Sequence, residues 1–319
     1  DNWLDYLKVR ASYGTQGNQQ VGAYAYIPSM STTNANWIIN GERPLTVRPG
    51  GLVSDSFTWE KVVSSNFGVD FALLDRKLSG TAEIYTRETK GMLTEAEELP
   101  SLLGTSAPDE NASDLKVSGW ELSLNWKDNI SDDFSYSIGL TLFDNKAKIT
   151  KFDGNPTGQL NNHYVGRQIG EIWGYVTDRL FQEGDFTTDS GGNRAYASGI
   201  PTQDRIFSNR IPFPGDVKYK DLNGDGVVDF GDNTLNDHGD LKVIGNSSAR
   251  YQYGIMLGAT YKRFDLGMFL QGVAKRDLWT SNEFAFTSGA QYRTIYAHTL
   301  DYWTPENTSA SHPAIHTTT

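Results

Sequence analysis

Trp120-Glu121-Leu122-Ser123-Leu124-Asn125-Trp126 alternates apolar and polar side chains, and Phe134-Ser135-Tyr136-Ser137-Ile138-Gly139-Leu140-Thr141-Leu142 repeats the alternation after a polar stretch at 127–133. A period of two sends successive side chains to opposite faces, which a strand does and a 3.6-period helix does not. The stretch therefore predicts a β-hairpin with one apolar and one polar face.

The same pattern recurs on both sides. Upstream, Phe67, Val69, Phe71 and Leu73 lead through a turn at 74–77 into Leu78, Gly80, Ala82 and Ile84. Downstream, Tyr253, Ile255, Leu257, Ala259 and Tyr261 lead through Lys262-Arg263 into Phe264, Leu266, Met268 and Leu270. Leu7–Tyr13 predicts a seventh strand without a near partner. The apolar faces of the three hairpins comprise 26 positions with no charge, where a chain that is 21% charged would place about five by chance.

Composition narrows the possibilities. The 319 residues hold 28 Lys and Arg against 39 Asp and Glu, a net charge of −11. Without a basic block, that balance argues against nucleic acid as a partner. The absence of Cys excludes disulfides, thiolate metal sites and cysteine catalysis. No apolar run reaches the ~18 residues of a spanning helix, which leaves membrane barrels open. No phosphate-binding loop, catalytic triad or HExxH pattern occurs.

Two architectures produce strands of this kind. A soluble β-sandwich, such as a surface glycan-binding or adhesin module, turns the apolar face to a core. A transmembrane barrel turns it to lipid. Three features favour the barrel. Short connections (74–77, 127–133, 262–263) alternate with long ones (14–60, 89–116, 147–249), as periplasmic turns alternate with extracellular loops. The polar faces carry few charges. Trp126, Phe134, Tyr261 and Phe264 sit beside the short turns, where an interfacial aromatic girdle belongs. Seven strands cannot close a single-chain bacterial barrel, so the expectation is all-β: a segment of a large antiparallel transmembrane β-barrel with long extracellular loops.

One motif carries metal chemistry. Asp221, Asn223 and Asp225 stand at positions 1, 3 and 5 of a twelve-residue loop. Gly226 follows at 6, the Val227 carbonyl at 7, Asp229 at 9 and Asp232 at 12. Calcium takes six to eight hard oxygens in such a loop, so calcium is the expected cofactor. Asp at position 12 is shorter than the usual Glu, and no helices flank the loop. The alternative is an acidic turn without an ion.

Loop aromatics, above all Trp173, Tyr175 and Trp279, with Tyr164, Tyr292, Tyr296 and Trp303, are candidates to stack on sugar rings or, more plainly, to pack loops together. Five His residues lack metal spacing, and Glu95, Glu97 and Glu98 read as a solvated acidic edge.

Several blocks resemble the SusC/RagA family of TonB-dependent outer-membrane transporters, the nutrient importers of Bacteroidetes. They are Trp59-Glu60-Lys61 with Asn66-Phe67-Gly68-Val69-Asp70-Phe71, Gly119 to Trp126, and Ile169-Gly170-Glu171-Ile172-Trp173-Gly174-Tyr175. Gly215 to Gly226, Val243-Ile244-Gly245-Asn246 and Phe264 to Gly272 complete the set, in the family's order. The resemblance implies the later part of a barrel in a longer protein, with plug and TonB-contacting regions outside residues 1–319. It also implies import of oligosaccharides or oligopeptides, no enzymatic activity, a SusD-like lipoprotein partner and TonB acting through a region absent here. The barrel wall would face outer-membrane lipid, and 147–249 would be a long extracellular loop region.

Overall fold

A computed structural model describes residues 3–18, 24, 26–48, 50–55, 57–95, 102, 107–280 and 296–315. Glu97, Glu98, Tyr292 and His316 lie outside them. The chain forms two compact units, one of residues 1–157, 162–169 and 248–276, the other of 158–161, 170–247 and 277–319.

The first unit is built on one antiparallel seven-stranded sheet. Its strands are β1 (Leu4–Asn18), β4 (Glu60–Leu73), β5 (Leu78–Glu95), β6 (Asp109–Ser131), β7 (Phe134–Phe152), β14 (Arg250–Tyr261) and β15 (Phe264–Lys275). They pair in chain order, β1-β4-β5-β6-β7-β14-β15. A small hairpin, β2 (Ser31–Asn34) with β3 (Leu45–Arg48), lies in the first long connection. The second unit holds β8 (Glu171–Gly174), β9 (Thr177–Leu180), β10 (Phe186–Thr188), β11 (Arg194–Tyr196), β12 (Val217–Tyr219) and β13 (Lys242–Asn246). These form three two-stranded ladders, β8–β13, β9–β12 and β10–β11.

Every expected strand is present, and most run longer than the alternation showed. The connection expected at 89–116 shrinks to 96–108, because β5 and β6 continue to pair through Glu95↔Asp109. The turn expected at 127–133 is a tight turn at Asp132-Asp133, since Lys127↔Ser137 and Asn129↔Ser135 extend the ladder. The expected 147–249 loop begins at 153, after β7 has run to Phe152. Polar residues on both faces of these extensions hide the period of two, while the backbone pairs regardless.

Register aligns the apolar faces across the sheet. Leu73, Leu78, Trp126, Ile138, Leu257 and Met268 form one cross-strand row, and Phe71, Gly80, Leu124, Leu140, Ile255 and Leu270 form another. Directly opposed residues share a face, so the apolar side is continuous. Within the sheet that face stays open: Ile84 is 60% exposed and Leu266 66%. A sandwich core would have buried them.

The band also slides along the strands. In β6 it ends at Trp126. In β7, β14 and β15 it continues four residues nearer the short turns, to Phe134, Tyr261 and Phe264. Strands tilted in a bilayer require this offset, because a row perpendicular to them climbs across the membrane. The aromatics at this edge meet: Trp126 Nε1 donates to Tyr136 Oη at 2.9 Å, and the Phe134 and Tyr261 rings lie 6.4 Å apart edge to face.

Candidate functional site: barrel wall and long loop

On the sheet face opposite the apolar band, Arg10 of β1 reaches two carboxylates. Its Nε lies 3.2 Å from Asp70 Oδ1 and its Nη1 2.7 Å from Glu83 Oε2. Thr81 Oγ1 donates to the same Asp70 oxygen at 3.1 Å. Gly68, directly opposite Arg10, leaves room for the guanidinium to lie flat. Nearby, a cleft of about 510 Å³ is lined by Asp70, Arg76, Thr81, Ser123, Asn125 and Lys127. A network of this kind cannot face hydrocarbon, where unpaired polar groups are costly. It marks the lumenal side, and none of these long-range pairs has a local sequence signal.

In the second unit, Phe181, Gln203, Val228 and Asp240 are fully buried. Gln203 clamps β12: its Nε2 donates to the Val217 carbonyl at 2.8 Å, and its Oε1 accepts the Tyr219 N–H at 3.1 Å. Arg179 binds Asp185 bidentately at 2.5 and 2.6 Å. That guanidinium, with the Gln182 N–H, holds the Asp185 carboxyl below the usual carboxylate range against the opposing effect of burial. Burial pushes the Tyr196 hydroxyl upward, and its donation to Asp204 Oδ1 at 2.6 Å pushes in the same direction.

The 221–232 loop begins as spacing predicts. Asp221 accepts the Gly224 N–H at 2.6 Å and the Gly226 N–H at 2.9 Å. Asn223 Oδ1 accepts the Asp225 N–H, and Asp225 Oδ1 accepts the Val227 N–H. Gly226 has φ +85°, the left-handed bend that only glycine adopts freely. The second half is otherwise engaged. Asp229 pairs with Arg205 and accepts the Gly231 N–H, while Asp232 is exposed. Among the described residues no group of three or more His, Cys, Asp or Glu side chains is gathered as a cation cage. The donor chemistry of Asp221, Asn223, Asp225 and the Val227 carbonyl fits calcium; Asp229 would have to leave Arg205 to join it.

Asp240, which spacing did not single out, anchors this loop. Its carboxylate accepts the Leu222 N–H at 2.5 Å and the Asp229 N–H at 3.0 Å. Val228 is buried where its N–H meets the Thr202 carbonyl.

The three aromatic candidates do not form one platform. Trp173 lies 5.7 Å from the His238 ring, and Tyr175 lies 5.2 Å from Tyr219. Burial, aided by Asp229 and Asp240, pushes the Tyr175 hydroxyl up to about 12. Trp279 is 63% exposed and sits beside Gly174, whose side of β8 is opposite to that of Trp173. Tyr164 and Trp303 are buried and pack loops.

An open antiparallel sheet with one lipid-compatible face, one polar network and short turns at a single end is a wall segment of an outer-membrane β-barrel. The chain belongs to the TonB-dependent receptor family: the model "TonB dependent receptor-like, beta-barrel" matches residues 2–230. The chain is similar to TonB-dependent receptor P3 of Formosa agariphila, at 26% identity over 98% of this chain and 30% of that protein. It is similar also to TonB-dependent receptor SusC of Bacteroides thetaiotaomicron, at 24% identity over 93% of this chain and 28% of that one. Among solved structures, the RagAB peptide transporter shares the fold with a TM-score of 0.66 at 20% identity, over 99% of this chain and 32% of that chain. Its 'open-open' state gives 0.69 at 16% identity. The chain thus spans about a third of these relatives' length. The SusC/RagA-like expectation is borne out, with an outer-membrane location, and the family is one of transporters and receptors rather than enzymes.

Proposed function

We propose that the chain is a wall segment of a SusC-like, TonB-dependent importer of oligosaccharides or oligopeptides. The observation that carries this reading is the seven-strand alignment of one uncharged apolar face behind the Arg10–Asp70–Glu83 network. Such a wall conducts no chemistry on its cargo; it separates lipid from a wet path. Substrate would be captured at the long-loop end under a SusD-like lipoprotein and released inward after TonB acts on regions outside residues 1–319. The solved relative named as the RagAB peptide transporter supports the oligopeptide class, the oligosaccharide class rests on the SusC-like sequence blocks, and the exposed Trp279 is the best placed of the three aromatics to touch cargo.

Calcium belongs to the same reading. Bound by Asp221, Asn223, Asp225 and the Val227 carbonyl, with Asp229 and Asp232 completing the set, the ion would neutralise the carboxylates and stiffen the loop. It would take no part in transport chemistry.

The test is uptake of labelled oligosaccharide and oligopeptide pools by cells carrying or lacking the full transporter, with and without TonB. Accumulation of one pool that needs both proteins, and co-purification of a SusD-like lipoprotein, is the expected result. Uptake of both pools unchanged by deletion would overturn it.

A further inference from the structure

Beyond the apolar band, at the long-loop end, the lipid-facing side of the sheet turns basic. Lys61, Lys90, Lys116, Lys146 and Lys148 all share the face of Phe67, Ile84, Trp120 and Leu142, by strand alternation and by the rows Lys61↔Lys90, Lys116↔Lys148 and Ser118↔Lys146. On the lumenal face the residues interleaved with them, Val62, Thr89, Val117, Asn145 and Ala147, are uncharged, and Arg87 is the one base. A chain of net charge −11 has concentrated positive charge on one side of one level.

The acids on that face are engaged within the sheet. Glu88 pairs with Lys116 at 2.8 Å and Lys90 at 3.4 Å, Asp144 pairs with Arg250, and Asp114 accepts the Gly91 N–H at 2.7 Å. Lys61, Lys146 and Lys148 are exposed and form no ion pair among the described residues. The rows at Lys146 and Lys116 lie two and four residues past Trp120. On a tilted strand that is on the order of 5–10 Å along the membrane normal, the depth of a headgroup layer. There a cleft of about 400 Å³ has Ile84, Trp120 and Tyr251 beside Lys146 and Arg250.

We propose that this belt docks the phosphorylated headgroups of the outer leaflet's glycolipid. Lys146, Lys148 and Lys61 would meet phosphate, and acyl chains would run down over Ile84 and Trp120. Two observations select this occupant: the belt is continuous with the lipid-facing band, and its uncompensated charge is positive where membrane phosphates lie. The inference rests on the membrane placement proposed above.

The test uses the full transporter in nanodiscs holding equal amounts of phosphorylated and dephosphorylated lipid A, with retained lipid counted by native mass spectrometry. Wild type should keep the phosphorylated form several-fold over the other. K61Q/K146Q/K148Q should lose most of that preference, and R87Q, on the lumenal face, should keep it. Heat-modifiable migration reports separately whether each protein sits folded in the membrane, so failure of the wall reading is distinguishable. Equal retention of both lipids by wild type would overturn the belt without recourse to any variant. Loss of the preference in excess inorganic phosphate would point to a small-anion site and overturn membrane docking.

Discussion

Arg10 lies across the backbone of Gly68: a β-carbon placed on Gly68 would stand 3.0 Å from the guanidinium carbon. The close approach lets one side chain span from Asp70 on β4 to Glu83 on β5. Gly68→Val should therefore dislodge Arg10 and leave both carboxylates repelling each other. Gly68→Val and Arg10→Met should each lower the denaturant midpoint of the heat-modifiable form, and the double variant should be no worse than the weaker single one. Additive losses would show that the two residues act separately.

Asp240→Ala should unlock the long loop without unmaking the wall. Its fully buried carboxylate satisfies the Leu222 and Asp229 N–H groups, and leaving buried donors unpaired costs about 1–3 kcal/mol each. Limited proteolysis should cut between 220 and 240 in the variant and spare it in wild type. Heat-modifiable migration should be the same in both.

Calcium binding is checked by calorimetry on the full transporter. Micromolar to millimolar affinity that Asp225→Ala abolishes is expected, together with faster nicking of residues 215–240 in chelator. Because Arg205 holds Asp229, Arg205→Gln should free that carboxylate and tighten binding. No heat of binding at about millimolar calcium would leave an acidic turn.

The Arg179–Asp185 pair gives the loop unit an acid-sensitive point. Asp185 is depressed in the folded state, so its contribution is present above the unfolded carboxylate value of about 4 and is lost as pH falls through the lower folded value. Amide exchange around 179–187 should be protected equally from neutral pH to mild acid and lose protection below the ordinary carboxylate range. Asp185→Asn should remove that pH dependence, and an unchanged profile would contradict the linkage.

How much of this was legible differs by element. Trp120–Trp126 and Phe134–Leu142 announced themselves because lipid demands apolar residues on every second position. Past Trp120 the same strand carries Ser118 and Lys116, which headgroups and water tolerate, and the alternation vanishes although the ladder continues. Asp221 to Gly226 was readable because a turn is a local structure. Asp240 and Arg205 were not, since each finds its partner 11 to 24 residues away through folding alone. Trp173, Tyr175 and Trp279 were stacking candidates by residue type alone; folding sets Trp173 against His238, Tyr175 against Tyr219, and Trp279 beside Gly174, on the face of β8 opposite to Trp173.

The most direct measurement exploits the lack of cysteine in these 319 residues. Single cysteines at Leu122, Ser123, Leu124 and Asn125 of the full transporter, spin-labelled in outer-membrane vesicles, report which side each position faces. Labels at Leu122 and Leu124 should be relaxed by oxygen dissolved in lipid, and those at Ser123 and Asn125 by a water-soluble nickel complex. The reverse pattern, or no two-residue alternation at all, would contradict a wall with its apolar face in the membrane.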